Sequence, residues 1–132
     1  MYKKNDIETV VHIQNKNHEM MVLNNGVLLI VHAKGTEIEI SDVKEMKEAF
    51  NNLPAPKPKK AIQDFRLQVS MTTEARKYAA EHSPNLLGVA YIINGLAERL
   101  LLTFYVRMWK RDKPTQFFQN YEDAFRWLAT LS

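Results

Sequence analysis

The chain has 132 residues, the size of a single domain, and its hydrophobic content of 45% excludes an intrinsically disordered protein. It has no cysteine, which excludes disulfides and thiolate chemistry, and no apolar run near the roughly 20 residues that a bilayer requires, so we expect a cytoplasmic protein. Its net charge of +3 is small, and its densest basic cluster, Lys57 to Lys60, alternates with prolines like a stiff solvated connector, so we expect no nucleic-acid partner.

The first third of the chain is predicted to form β-strands. Residues 8–13 alternate with the period of two that is typical of a half-buried strand. Two further runs, Glu19–Leu23 and Val27–Ala33, flank the sequence Asn24-Asn25-Gly26, and Asn-Gly readily accepts the positive φ of a tight turn. This segment therefore predicts an antiparallel β-hairpin.

Helices and strands alternate over the rest of the chain. Ser41 is expected to cap the first helix, which Pro54 ends. The predicted elements are a helix Ser41–Leu53, a strand Ala61–Phe65, a helix Thr73–His82, a strand Leu86–Ile93, a helix Leu96–Arg111, a strand Thr115–Phe118 and, after the capping residue Asn120, a helix Tyr121–Leu131. This alternation indicates parallel strands joined by right-handed crossovers.

The predicted fold is of the α/β class. It combines an N-terminal antiparallel hairpin with a parallel β-α-β-α-β-α unit in one mixed sheet, on which about four helices pack. We expect residues 1–132 to form one domain, in which residues 1–18 are an N-terminal extension that adds a strand.

The order of these elements resembles the STAS family, the anti-sigma-factor antagonist fold, and in particular its poorly characterised bacterial SpoIIAA-like relatives. The resemblance covers roughly Glu19 to Leu131. Its most specific parts are the strand Gly88-Val-Ala-Tyr-Ile-Ile, the sequence Pro114-Thr-Gln-Phe-Phe and the closing helix, which contains the sequences Glu-Asp-Ala and Trp-Leu. The resemblance implies a SpoIIAA-like fold and a non-enzymatic regulatory or protein-interaction module.

The resemblance also implies candidate phosphorylation sites. STAS antagonists carry Asp-x-Ser, a short connection and then Met-Asp-Ser-Ser-Gly, with a phosphorylated serine at the start of the next helix. Here Asp64-Phe-Arg leads into Met71-Thr72-Thr73-Glu74, so Thr73 matches the phosphorylated serine, and Ser70 and Thr72 are its neighbours. Alternatively, Thr72 or Ser70 only caps the helix, since Glu74 would repel a phosphate.

No catalytic or metal-binding motif is found in the sequence. The four histidines, His12, His18, His32 and His82, show no pair at metal-ligand spacing, and we expect His12 and His32 at the surface or at the rim of the sheet. With four glycines in total, phosphate-binding loops are practically excluded. We therefore expect no enzyme, no cofactor and no metal.

The predicted helix Leu96–Arg111 carries more apolar surface than a helix on a sheet requires. Its polar stripe, from Arg99 to Lys110, is narrow, whereas a stripe of apolar residues of about 100° would suffice for packing. Three interpretations remain open: cover by the same chain, homodimerisation, or contact with a lipid, a small apolar ligand or a membrane surface. The candidate interface or ligand residues are Leu102, Tyr105, Val106 and Trp109.

These patterns favour a dimeric, non-enzymatic regulatory module of the STAS type, with a regulatory protein as its partner. The alternative is a carrier or sensor of a small apolar ligand or lipid held between helix Leu96–Arg111 and the sheet. Some SpoIIAA-like relatives look like the CRAL-TRIO lipid-binding fold, which supports this alternative.

The dimer hypothesis predicts that Trp109→Glu combined with Leu102→Glu gives a folded monomer, because charged side chains are not buried in an apolar contact without partners. Light scattering measures the mass of the particle in solution. A double variant that still runs as a dimer would place the interface elsewhere.

Overall fold

The structure is a computed structural model that describes residues 7–95 and 114–132. These residues form eight strands and three helices. The strands are β1 (Thr9–Gln14), β2 (His18–Leu23), β3 (Val27–His32), β4 (Glu37–Ile38), β5 (Lys60–Asp64), β6 (Ser70–Met71), β7 (Gly88–Ile92) and β8 (Thr115–Phe118). The helices are α1 (Ile40–Asn51), α2 (Thr73–His82) and α3 (Tyr121–Leu128). No helix within these ranges is long and apolar enough to cross a membrane.

Six strands form one mixed sheet in the order β1-β2-β3-β5-β7-β8. The first three strands pair antiparallel, and β3, β5, β7 and β8 pair parallel. The predicted mixed α/β sheet is therefore confirmed. The prediction of about four helices differs slightly from the three that are described, because the predicted helix Leu96–Arg111 lies outside the described residues.

The turn between β2 and β3 forms as the sequence predicts. Gly26 has a φ of +83°, the left-handed conformation that glycine adopts without steric cost. Its amide donates a hydrogen bond of 2.9 Å to the carbonyl of Leu23, which closes a three-residue hairpin loop. The hairpin places His18 opposite His32 across the two strands.

The two faces of the sheet carry separate cores. Helices α1 and α2 lie on one face, where Met20 and Ile38 are fully buried. Helix α3 lies on the other face, where Leu128 packs with Ile62 and Ile92. Strand β7 is buried at every position because it is covered from both sides, which explains the uninterrupted apolar run of its sequence.

The N-terminal cap of α1 differs from the prediction. Ser41 was expected to cap α1, but α1 begins at Ile40 with Glu39 as its N-cap, and Ser41 is an exposed residue of the first turn. The reason is Asp42, whose Oδ2 accepts a hydrogen bond of 2.9 Å from the amide of Glu39. At the other end of α1, Lys57 of the proline-rich connector donates to the carbonyl of Phe50 at 3.0 Å and so caps the helix.

His32 corrects a second expectation, because it is 1% exposed rather than at the rim of the sheet. It follows Leu28 and Ile30 on the inward face of β3, its ring lies edge-on to Phe65 at 5.1 Å, and its Nε2 lies 3.0 Å from Oε1 of Gln63. Burial lowers the pKa of His32 to about 4, so the ring is neutral in neutral solution.

Candidate functional site

The three candidate phosphorylation residues lie at the edge of the sheet where the parallel strands end. In a parallel sheet this edge is the usual place for a binding site. After β5 the chain crosses it through residues 65–72, here called the β5–α2 connection, and then enters α2. Two features hold the connection in place: an ion pair at its start and a set of backbone hydrogen bonds along its length.

The ion pair joins Asp64 to Arg66. Asp64, the last residue of β5, is 5% exposed, and Nη2 of Arg66 donates to its Oδ2 at 2.8 Å. The hydroxyl of Tyr121, at the start of α3, also donates to Asp64, and the guanidinium of Arg66 lies over the Tyr121 ring at 4.8 Å. Burial alone would raise the pKa of Asp64, but the hydrogen bonds from Arg66 and Tyr121 outweigh it and hold that pKa below its usual value. The start of the connection is thereby tied to α3.

Backbone hydrogen bonds fix the rest of the connection. The carbonyl of Leu67 accepts from the amide of Gly35 at 2.8 Å, and the amide of Ser70 donates to the carbonyl of Thr36 at 3.0 Å. Ser70 and Met71 form β6, a two-residue parallel ladder with β4 that the sequence analysis did not contain. Phe65 is buried, but the side chains of Leu67, Gln68 and Ser70 are exposed to solvent, Leu67 by 47%. The connection is therefore an exposed segment with a fixed backbone.

One residue of the connection has an unusual backbone conformation. Gln68 has a φ of +57°, in the left-handed region that few residues other than glycine occupy. Such conformations cost free energy and persist where the surrounding hydrogen bonds impose them, often at functional sites.

The three candidate phosphorylation residues lie together at the end of the connection, but they differ in environment. Thr72 is the N-cap of α2, and its Oγ1 accepts a hydrogen bond of 3.0 Å from the amide of Ala75. Thr73 is the exposed first residue of the helix, and Ser70 is exposed on β6 opposite Glu37. The structure thus assigns capping to Thr72 and leaves Ser70 and Thr73 accessible.

The other candidate residues, Leu102, Tyr105, Val106 and Trp109, lie outside the described residues. Their role in an interface or a ligand site stays a prediction.

A cavity that the sequence analysis did not predict lies between α1, α2 and the sheet. Its volume is about 90 Å³ and its walls are mainly apolar, formed by residues such as Met20, Ile38, Phe50, Leu86 and Tyr91. Its polar lining includes Lys47 from α1 and His82 from the end of α2. Nδ1 of His82 donates to the carbonyl of Tyr78 at 2.9 Å, which leaves its Nε2 free to accept. No pattern in the sequence predicts this cavity, because its volume depends on the distance between the two helices and the sheet.

A polar cluster lies where β2 meets the start of α1. His18 is 1% exposed and Asp42 is 6% exposed, and one ligand-type atom of each lies within 4.8 Å of a carboxylate oxygen of Glu45. The sequence shows no metal-ligand spacing here, because the fold and not the local sequence brings His18 close to the two carboxylates.

Comparison with known proteins places the chain among domains that share this architecture. Residues 21–132 match the family model described as Domain of unknown function (DUF7793). Among solved structures, a match is the crystal structure of an uncharacterized protein from the DUF3478 family with a SpoIIAA-like fold from Shewanella loihica PV-4. That protein is 18% identical, the alignment covers 92% of this chain and 93% of that chain, and the TM-score is 0.55. No curated protein matches. The SpoIIAA-like fold, and the resemblance to a poorly characterised branch, are confirmed.

The geometry at the start of α2 predicts different effects of two neighbouring substitutions. Thr72→Ala should lower the free energy of unfolding by about 1 kcal/mol, because the amide of Ala75 loses its cap. Thr73→Ala, the matched control, should change it by about 0.5 kcal/mol or less, since its side chain is exposed. Urea unfolding followed by circular dichroism measures both. Equal losses in the two variants would contradict the assignment of Thr72 as the cap.

Proposed function

The chain belongs to the DUF7793 family, described as a domain of unknown function, and from its fold and site we propose that it is a non-enzymatic regulatory module of the STAS type. In this proposal the β5–α2 connection and the start of α2 bind a protein partner. The observation that carries the proposal is an exposed connection whose backbone is fixed before any partner binds.

The fixed backbone favours binding because little conformational entropy remains to be lost. The Asp64–Arg66 pair holds the start of the connection, and the β4–β6 ladder holds its end. A preorganised surface loses less free energy to ordering when it binds than a flexible loop does.

The exposed groups suit a mixed protein interface. Leu67 offers an apolar contact, and Gln68 and Ser70 beside it offer hydrogen-bonding groups. The acidic side chains of Glu37 and Glu74 flank this surface, so a partner with basic or hydrogen-bond-donating groups would complement it.

Phosphorylation would act on this surface through charge. A phosphate on Thr73 or Ser70 adds a charge of about −2 next to Glu74 or Glu37, and this added negative charge would strengthen the binding of a basic partner. Homodimerisation through the predicted helix Leu96–Arg111 is the second part of the proposal, and it rests on the sequence pattern alone.

Site-specific photo-crosslinking in the native cells tests the interaction surface. A photoreactive residue at Leu67 should give a discrete adduct with one protein, because Leu67 lies in the proposed contact. The matched control is Val10, an exposed hydrophobic residue on the edge strand β1, 61% exposed, which should give no such adduct. The purified adduct partner should then bind Ser70→Asp more tightly than the wild-type chain, because the added carboxylate complements a basic partner. Absence of an adduct at Leu67, or the same adduct from Val10, would contradict the proposal.

A second function, carriage or sensing of a small apolar ligand, is favoured by the cavity under α1 and α2. An engineered cavity of about 150 Å³ in another protein binds benzene, so about 90 Å³ suits a short alkyl chain and not a whole lipid. Lys47 makes no ion pair with the described residues, and its ammonium group would attract a carboxylate head group. The ligand class of this alternative is a short-chain fatty acid.

Titration of hexanoate into isotope-labelled protein, followed by NMR chemical shifts, tests this alternative. Ala79→Leu should weaken binding at least about tenfold, because Ala79 lines the cavity and the larger side chain fills it. Ala80→Leu on the same helix, whose side chain is not in the lining, is the matched control and should bind like the wild type. Hexanoate that binds Ala79→Leu as tightly as the wild type would exclude the cavity as the site.

A further inference from the structure

The polar cluster of His18, Asp42 and Glu45, here called the His18 cluster, has the composition of a metal site. One nitrogen of His18 and one oxygen of each carboxylate all lie within 4.8 Å of one another. His18 and Asp42 are buried, and Glu45 is partly exposed. The cluster is separate from the β5–α2 connection and from its proposed role.

The imidazole of His18 is buried with one nitrogen unpaired. Its Nε2 lies 2.8 Å from Nδ2 of Asn15, whereas its Nδ1 has no hydrogen-bond partner among the described residues. His32, opposite His18 on β3 and equally buried, also has an unpaired Nδ1 in this part of the chain. Buried polar atoms without partners are rare in folded proteins, because they lose water without regaining a hydrogen bond. A buried imidazole that has an unpaired nitrogen and lies near two carboxylates points to a bound species.

The two carboxylates are held in position by backbone and amide groups. Asp42 and Glu45 are three residues apart on α1 and therefore project from the same side of the helix. Asn17 donates to Oδ1 of Asp42 at 2.9 Å, and the amide of Lys16 donates to Oε1 of Glu45 at 3.3 Å. These bonds orient the carboxylates and leave each oxygen a further lone pair, as expected of groups that support metal ligands.

The carboxylates of the cluster also have no cationic side chain as a partner among the described residues. Within residues 7–95 and 114–132, neither Asp42 nor Glu45 forms an ion pair with a lysine or arginine. Two carboxylates at one buried histidine attract a cation, since charges away from water are normally paired or bind metals.

We propose that the His18 cluster binds a divalent transition-metal ion, with Zn²⁺ as the best match. Histidine nitrogens and carboxylate oxygens are both common Zn²⁺ ligands, whereas Ca²⁺ and Mg²⁺ prefer oxygen ligands alone. Turning the Asn15 amide by half a turn would let its oxygen accept the proton of His18 Nε2, which frees Nδ1 to bind the ion. Glu45 is partly exposed and its hydrogen bond from the Lys16 amide is long, at 3.3 Å, so its side chain can rotate to bring an oxygen to the metal–ligand distance of about 2 Å. The ion would join β2 to the start of α1.

Zn²⁺ binding to the chelator-treated full chain tests the proposal, measured by competition with a chromophoric chelator. We expect one Zn²⁺ per chain, a rise in the melting temperature with Zn²⁺ but not with Mg²⁺, and visible absorption bands with Co²⁺. Glu45→Gln should weaken Zn²⁺ binding at least about tenfold and remove the rise in melting temperature, because one ligand is lost.

Two control variants separate the cluster from incidental binding. Glu48→Gln changes an exposed carboxylate on the same helix and should leave Zn²⁺ binding unchanged. His12→Gln removes the exposed His12–Glu19 pair, whose atoms lie 3.0 Å apart, and should also leave it unchanged. No binding to the wild type, or equal binding by Glu45→Gln, would overturn the proposal. Either result would leave the crosslinking outcome at Leu67 unaffected, so the two proposals fail independently.

Discussion

The buried carboxylate of Asp64 is the interaction on which the arrangement of the candidate site depends. It ends β5, receives the guanidinium of Arg66 from the connection and accepts the hydroxyl of Tyr121 from α3. One charge thus joins the central sheet to the connection that follows β5 and to α3. A buried charge that lost either partner would be left without full compensation, so the three elements keep their relative positions together.

The regular part of the fold could be predicted from the sequence because it depends on local patterns. The uninterrupted apolar run of β7, the Asn-Gly turn and the cap at Asn120 each follow from residues within a few positions of one another. The features that were predicted wrongly or not at all depend on residues that are far apart in the sequence. The β4–β6 ladder joins pairs of residues too short to show a period, and Asp42 displaces Ser41 as the capping group partly because Asn17 holds it from 25 positions away.

The candidate site divides in the same way. The position of Thr72 and Thr73 at the start of α2 could be predicted from spacing, but which hydroxyl the helix uses for its cap required the structure. The burial of His32, the cavity and the His18 cluster could not be predicted, because each arises where strands and helices from separate parts of the chain meet. Hydrophobic periodicity indicates which face of a helix or strand is buried, but it does not indicate which residues pack against that face.

The short β4–β6 ladder connects the beginnings of α1 and α2. β4 ends one residue before Glu39, the N-cap of α1, and the carbonyl of Ile38 accepts the amide of Thr72, the N-cap of α2, at 3.0 Å. Ile38, a single buried residue, is thus the point through which a displacement at one helix start would reach the other. Thermodynamic reciprocity would apply to such a link: a ligand at the start of α1 that changed the affinity of a partner for the start of α2 would have its own affinity changed by that partner by the same factor.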